Sequence, residues 1–211
     1  MITVLVADDH PVVRGGIKQM LSESMAGVVI GEARTVQELF ERVQEKRWDV
    51  VILDITMPGG SGLDALKRLK QERPSLPVLM LSVYPEDQFA VRAIRTGASG
   101  YLSKQSLPEE LVRAVKTVLG GRKYLSPAVA DLLATHLQQD TGDSPPHIKL
   151  SDREDQVFRS LVRGKTVSEI ADELSLSIKT VSTYRSRILE KLDVRTNTDL
   201  ARYAFQHHLE D

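Results

Sequence analysis

The chain has 211 residues, 41% of them apolar, which is room for one large domain or two modest ones; no uninterrupted apolar run reaches the roughly 18 residues of a membrane span. Cysteine is absent, which excludes disulfides, zinc-thiolate sites, iron–sulfur clusters and thiol catalysis together. Lys and Arg number 28 against 29 for Asp and Glu, so the net charge of −1 gives no general attraction to nucleic acid, and any such binding must rest on a local patch.

The amino terminus, Met1-Ile2-Thr3, runs straight into a strand-like stretch without a basic region or cleavage site, so a cytoplasmic protein is expected. Short apolar strands are predicted at Ile2–Ala7, Val28–Gly31, Val50–Leu53, Leu76–Leu81 and Gly100–Leu102. Four of them are nearly continuous apolar runs, as parallel strands covered on both faces require. Helical patterns lie between and after them, at Pro11–Leu21, Val36–Glu45, Gly62–Glu72, Glu86–Thr96 and Pro108–Leu119. Thr35 with Glu38 has capping-box spacing, and Gly97 and Gly120 read as helix stops. Five βα units with short connections predict right-handed crossovers and a doubly wound five-stranded parallel sheet.

Beyond Tyr124 the segment Ser126–Leu137 has the pattern of one more helix, and Gln138–His147 (QQDTGDSPPH) is polar, proline-bearing and aperiodic, as an interdomain linker would be. From Lys149 the pattern is helical throughout. Ser151 with Glu154 and Thr166 with Glu169 again have capping-box spacing, and helices are predicted over Val167–Leu174, Ile178–Leu192 and Thr198–His207. The expected division is a first α/β domain at 1–121, a linker with a helix at 122–148, and a small all-α domain at 149–211.

The chemistry gathers at strand ends. Asp8 and Asp9 follow the first strand, Asp54 the third, Ser82 closes the fourth and Lys104 comes just after the fifth; in an open parallel sheet these ends face one crevice. Three carboxylates there repel one another unless their pKa values rise or a cation joins them. With oxygen donors only, the fitting ion is Mg²⁺, which keeps several waters and accepts a phosphate oxygen as a further ligand. Lys104 supplies a point charge for such a phosphate and Ser82 a hydroxyl donor. Asp54 ends a central strand and precedes a loop, Ile55-Thr56-Met57-Pro58-Gly59-Gly60, able to wrap an incoming group, so it is the expected nucleophile, with Asp8 and Asp9 as metal holders. His10, between the acids and Pro11, reads as a partly exposed loop histidine rather than a ligand.

These residues resemble the receiver domain of two-component response regulators over residues 1–120, because the paired acids, the strand-end Asp54, Ser82, the aromatic Tyr101 and Lys104 occur in order on the matching elements. The resemblance implies a flavodoxin-like fold, with Asp54 phosphorylated from a phosphohistidine on a sensor histidine kinase. It also implies Mg²⁺ held by Asp8, Asp9, Asp54 and the Thr56 carbonyl, and a relay in which Ser82 moves toward the phosphoryl group while Tyr101 turns inward.

In the second domain, Leu174-Ser175-Leu176-Ser177 is the expected turn between two helices, and the helix that follows carries an apolar stripe of Val181, Tyr184, Ile188 and Leu192. Lys179, Thr183, Ser186 and Glu190 lie opposite, flanked by Ser182 and Arg187. Within 179–195 five basic and two acidic residues leave a local charge of +3. Small hydroxyl residues permit close approach to a groove and cations at the edges neutralise phosphates. The segment Leu150–Val194 is similar to the LuxR-type helix-turn-helix domain of the NarL/FixJ class, through Leu150-Ser151, Arg153-Glu154, Gly164, Glu169-Ile170-Ala171, Leu174, Lys179-Thr180-Val181 and Lys191-Leu192. The similarity implies phosphate contacts by Lys179, Thr180, Tyr184, Arg185 and Arg187 and base contacts by Ser182, Thr183 and Ser186. It further implies a final helix whose Leu200, Tyr203 and Ala204 pair two copies.

The reading is a non-enzymatic transcription regulator that binds double-stranded DNA, pairs as a homodimer, needs no membrane and is controlled by phosphorylation. A constitutive DNA binder with a merely structural receiver is an alternative. A haloacid-dehalogenase-type phosphatase is a weaker one, since it needs a second Asp where Thr56 stands.

Overall fold

The computed structural model describes residues 1–83, 86–139, 147, 150–174, 176–207 and 209. They form two compact units, Met1–Gln139 and Asp140–Asp211. The first unit is a five-stranded parallel sheet built from β1 (Thr3–Ala7), β2 (Val29–Ala33), β3 (Val50–Asp54), β6 (Val78–Ser82) and β7 (Gly100–Ser103), in the order β2-β1-β3-β6-β7. Successive side chains alternate between two cores even though the strands are apolar on both faces. Val4, Val6, Ile52 and Leu81 face α1 (Pro11–Ser24) and α5 (Leu107–Leu119), whereas Leu5, Leu53 and Met80 face α2 (Val36–Glu45), α3 (Gly62–Glu72) and α4 (Glu86–Thr96). The chain leaves β1 for β2 on one side and returns to β3 on the other, so the sheet's direction reverses at β1 and opens a crevice beyond the ends of β1 and β3. This is the doubly wound architecture predicted from the strand pattern.

Local signals behave in detail as their chemistry dictates. The Glu38 amide donates to Thr35 Oγ1 at 3.1 Å, but the Glu38 carboxylate takes the Arg34 amide rather than closing the box on Thr35. Gly97 ends α4 with φ at 109°, while after α5 the left-handed residue is Gly121, one position beyond the expected stop.

Two features exceed the sequence reading. A two-stranded antiparallel hairpin, β4 (Thr56–Met57) with β5 (Gly60–Ser61), folds the loop after Asp54 back to the start of α3. The first unit also runs on past residue 121. Tyr124 bridges Gly100 at the open edge of β7, and α6 (Pro127–Gln139), expected within the linker, packs on α4 with Val129 fully buried beside Phe89 and Ala90. An exposed strand edge is thereby covered. Of the expected linker, residues 140–146 and 148 lie outside the described residues.

The second unit is helical: α7 (Asp152–Val162), α8 (Val167–Glu173), α9 (Ile178–Lys191) and α10 (Asn197–Gln206) surround Val157, Phe158, Ile170, Val181, Ile188 and Leu200. Both predicted capping boxes close, Ser151 with Glu154 and Thr166 with Glu169, and Thr196 with Asp199 forms a third. Of the predicted turn between α8 and α9, Ser175 lies outside the described residues.

Gly62 joins scaffold to crevice. Its amide donates to the Ile55 carbonyl at 2.7 Å, and a Cβ placed on it would stand 2.0 Å from the Asp54 carbonyl oxygen and 2.8 Å from Ile55 Cα. These neighbours are backbone and cannot swing aside. Gly62→Ala is therefore expected to destabilise the protein by about 2 kcal/mol or more, measured as a lowered urea midpoint, because room is made only by moving the Asp54 loop.

Candidate functional site: an acidic crevice and an exposed helix face

Asp54 is the last residue of β3, and Asp8 and Asp9 follow β1, so neighbouring strands deliver all three carboxylates to the switch point. One ligand atom from each of Asp8, Asp9, His10 and Asp54 lies within 4.8 Å of the others. Asp8 is 0% and Asp54 3% exposed, which makes their mutual repulsion expensive. Lys104, brought in by the turn after β7, answers it: Nζ stands 2.7 Å from Asp8 Oδ2 and 3.0 Å from Asp54 Oδ2. The turn is held in place by the Lys104 amide donating to the Ser82 carbonyl at 2.7 Å.

Burial pushes the Asp54 carboxyl up from 3.8 to about 6; the nearby Lys104 opposes this rise, Asp8 adds to it, and hydrogen bonds from Lys104 and the Thr56 backbone oppose it. Burial disfavours the Lys104 ammonium, yet Asp54 and Asp8 together carry its pKa above the ordinary value. Neither Asp8 Oδ2 nor Asp9 Oδ1, both buried atoms, receives a hydrogen bond of proper geometry, although Lys104 Nζ is 2.7 Å from the first and His10 Nδ1 2.7 Å from the second. Three carboxylates facing one ammonium, with oxygens left unsatisfied, fit a hard divalent cation.

The other predicted residues of this crevice are placed as follows. Ser82 is buried at the end of β6, and Thr56 opens the hairpin after Asp54. Tyr101, expected to turn inward on phosphorylation, is already fully buried here among Phe89, Ala90 and Val129. His10 is 60% exposed at its side chain, as a loop histidine should be, but it contacts both acids, at 2.7 Å to Asp9 and 3.2 Å to Asp8. Arg14, not singled out in the sequence, is a buried arginine whose Nη1 donates to the Asp8 carbonyl at 2.8 Å. No local pattern marks it, since it is one polar residue on an amphipathic helix.

On α9, Lys179, Ser182, Thr183, Ser186 and Arg187 are exposed on one arc, and Thr180, Tyr184 and Arg185 are half-buried. The hydroxyls of Thr183 and Ser186 donate to carbonyls one turn back, at 2.9 and 3.1 Å, leaving their oxygens outward. Thr180 is tied to the Ser177 cap through a 2.7 Å hydroxyl contact. Arg185 Nε donates to Asn197 Oδ1 at 2.7 Å, consistent with its lying toward the apolar side of the helix. Lys191 pairs with Glu154 at 2.6 Å, so the local cationic patch is weaker than a count of basic residues indicates. Ile178, predicted to begin this helix but given no role there, is 57% exposed at the first turn. Of the residues expected to pair two copies, Leu200 and Ala204 are fully buried in their own domain, while Tyr203 is half-buried and packs edge-on against Phe158. Phe205, 70% exposed, is the apolar side chain that α10 offers outward.

The raised pKa of Asp54 makes stability depend on pH. The folded state binds more protons than the unfolded chain between 3.8 and about 6, so stability falls as pH rises through that window and levels off above it. Asp54→Asn cannot ionise. In metal-free buffer it is expected to exceed the wild type in stability by about 1–3 kcal/mol at neutral pH, because each tenfold weakening of acidity corresponds to roughly 1.4 kcal/mol, and the difference shrinks toward about pH 4. Urea midpoints across that range check the sign.

The receiver-like and helical segments each match a known family. Residues 4–116 match the response regulator receiver domain, and residues 149–204 match the bacterial regulatory proteins of the luxR family. The chain is 39% identical over 211 residues to the response regulator GacA of Pseudomonas aeruginosa, covering all of this chain and 99% of that one. It is 34% identical over 209 residues to UvrY of Escherichia coli strain K12, covering 99% and 96%. Among solved structures it is similar to RcsB of Salmonella enterica serovar Typhimurium bound to promoter rprA with the phosphomimetic BeF3−, at TM-score 0.63, 29% identity and 96% and 97% coverage. An RcsB–DNA complex matches at TM-score 0.59, 30% identity and 96% coverage of both chains. With both domain types in order and relatives aligned end to end, the chain belongs to the two-component response regulators of the NarL/FixJ class, a receiver domain followed by a LuxR-type helix-turn-helix domain.

Proposed function

We propose that Asp54 is the phosphoacceptor through which this response regulator works as a phosphorylation-controlled, DNA-binding transcription regulator. The observation that carries the proposal is the convergence of Asp8, Asp9 and Asp54 on one buried point with Lys104 between two of them. An Asp54 carboxylate oxygen attacks the phosphorus of a phosphohistidine on a sensor histidine kinase. The phosphorus–nitrogen bond breaks, its electron pair returns to the imidazole, and an acyl phosphate forms. Asp54 reacts as the anion, which its pKa of about 6 permits at neutral pH. Lys104 faces the transferred group as a fixed positive charge, and Ser82 offers its hydroxyl from the end of β6. Mg²⁺ held by Asp8, Asp9, Asp54 and the Thr56 carbonyl would neutralise charge on the phosphoryl oxygens.

The added charge of about −1.5 to −2 on Asp54 changes what Lys104 and Ser82 attract, and Tyr101 is the neighbouring aromatic of the relay. The output is a population shift that favours paired copies on DNA half-sites rather than an absolute switch. For DNA the functional face of α9 is the exposed arc and its half-buried flanks, with Lys179 and Arg187 on the arc and Thr180 and Tyr184 beside it toward phosphates, and Ser182, Thr183 and Ser186 toward bases. Arg185, expected at a phosphate, braces the start of α10 through Asn197.

Two measurements test this. Incubated with a small phosphodonor and Mg²⁺, the wild type should take up label and Asp54→Asn none; a labelled variant removes Asp54 from the role. Lys179→Ala should weaken binding to all sequences alike and lower the salt slope by about 1, whereas Thr183→Ala should change sequence preference, by about 1–3 kcal/mol between bases. Indistinguishable behaviour of the two variants overturns the division of the helix face, and equal DNA affinity with and without phosphodonor favours constitutive binding.

A further inference from the structure

We infer that Arg14 is a positioning residue of the acidic site: it holds the peptide joining Asp8 to Asp9 so that both carboxylates face the point where a divalent cation would bind. The inference rests on the proposed metal role of that cluster.

Arg14 sits one turn into α1 and its side chain is 6% exposed. A buried guanidinium is costly unless each of its faces is matched, and here it is matched twice. Nε donates to Glu32 Oε2 at 2.8 Å, and Nη1 donates to the Asp8 carbonyl at 2.8 Å. That carbonyl belongs to the Asp8–Asp9 peptide. The preceding peptide is fixed as well, because the Asp8 amide donates to the Ala33 carbonyl at 3.1 Å on β2, the strand that also carries Glu32. Asp8 Oδ1 in turn accepts the His10 amide at 2.8 Å. The turn is thus pinned in front, behind and below, and the arginine is the pin that sets the plane from which the Asp9 side chain departs.

Packing does not explain the residue. The buried apolar side chains of α1 are Ile17 and Leu21, and an apolar side chain at position 14 would have filled the same space without burying a charge. Groups one step removed from a metal orient its ligands, and losing one of them typically weakens metal binding about 10- to 100-fold.

The test is calorimetric titration of Mg²⁺ into the full, unphosphorylated chain, which reads binding without any phosphotransfer. Wild type should bind and Asp9→Asn should not. Arg14→Met, which keeps the volume and removes the donors, should raise the Mg²⁺ dissociation constant about 10- to 100-fold. Arg14→Lys, whose single ammonium can reach one partner or the other, should recover part of that loss. Leu21→Ala destabilises the same helix without touching Asp8 and should leave Mg²⁺ affinity unchanged. Wild-type affinity in Arg14→Met overturns the inference, as does an equal loss in Leu21→Ala. If Arg14→Met fails to fold, Arg14→Lys decides alone: a weakened constant supports the role and an unchanged one removes it. Absence of Mg²⁺ binding in the wild type would remove the metal reading and this one together, whereas binding that is indifferent to Arg14 removes this one only.

Discussion

Negative charge is gathered at a place where water cannot dilute it, and the receiver is organised around that constraint. Two unit charges about 4 Å apart interact by roughly 4 kcal/mol at the effective dielectric of a protein near its surface, and more when buried. Asp8 and Asp54 are buried and Asp9 half-buried, within a few ångströms of one another, with a single ammonium, Lys104, lodged between two of them. Three negative charges against one positive leave the crevice short of two. A flexible loop would relieve that deficit by moving apart. Here the carboxylates are attached to the ends of β1 and β3, two adjacent inner strands whose side chains over Val4–Ala7 and Val50–Leu53 are fully buried on both faces, so the backbone cannot yield without breaking both cores.

That rigidity turns repulsion into responsiveness. Because the strands hold the charges in place, a change in charge at Asp54 would fall first on Lys104, in the turn after β7, and with it on Ser82 at the end of β6. Ser82 and Lys104 are joined through the Lys104 amide and the Ser82 carbonyl, so a displacement of either is felt by the other. Tyr101 lies on β7, just ahead of the turn that carries Lys104, and its ring is buried with side chains of α4 and α6. The helix that follows the α/β fold is therefore packed against the element nearest the relay, and residue 139 at its end leads on toward the second unit.

Much of this was legible in the sequence, and the rest fails for identifiable reasons. Strand ends were readable because continuous apolar runs stop abruptly at Asp8, Asp54, Ser82 and Lys104, and one parallel sheet gathers such ends in one crevice. The caps at Ser151 and Thr166 were readable because they depend on residues within three positions. What escaped depends on distance along the chain. Arg14 meets Glu32 across 18 positions and Lys191 meets Glu154 across 37, and neither pairing leaves a local trace. The hairpin of β4 and β5 has two residues per strand, too few to show an alternation. Leu200 and Ala204 lie on the apolar face of an amphipathic helix, and periodicity alone cannot say whether that face meets its own domain or a second copy.

The same pairings limit how one helix-turn-helix domain can hold DNA. Of the five basic residues over 179–195, Lys191 is taken by the buried Glu154 and Arg185 leans on Asn197, which leaves Lys179, Arg187 and Arg195 exposed without an ion pair among the described residues. Each phosphate neutralised contributes about 0.9 to the salt slope of binding, so three cations give a shallow, weak attraction compared with proteins that contact six to ten phosphates. Base contacts from small hydroxyl side chains add discrimination but little pull. A second copy on an adjacent half-site doubles the number of cations and makes the second contact intramolecular, which raises affinity without any new residue. A reader whose recognition helix offers so few free cations gains from being paired.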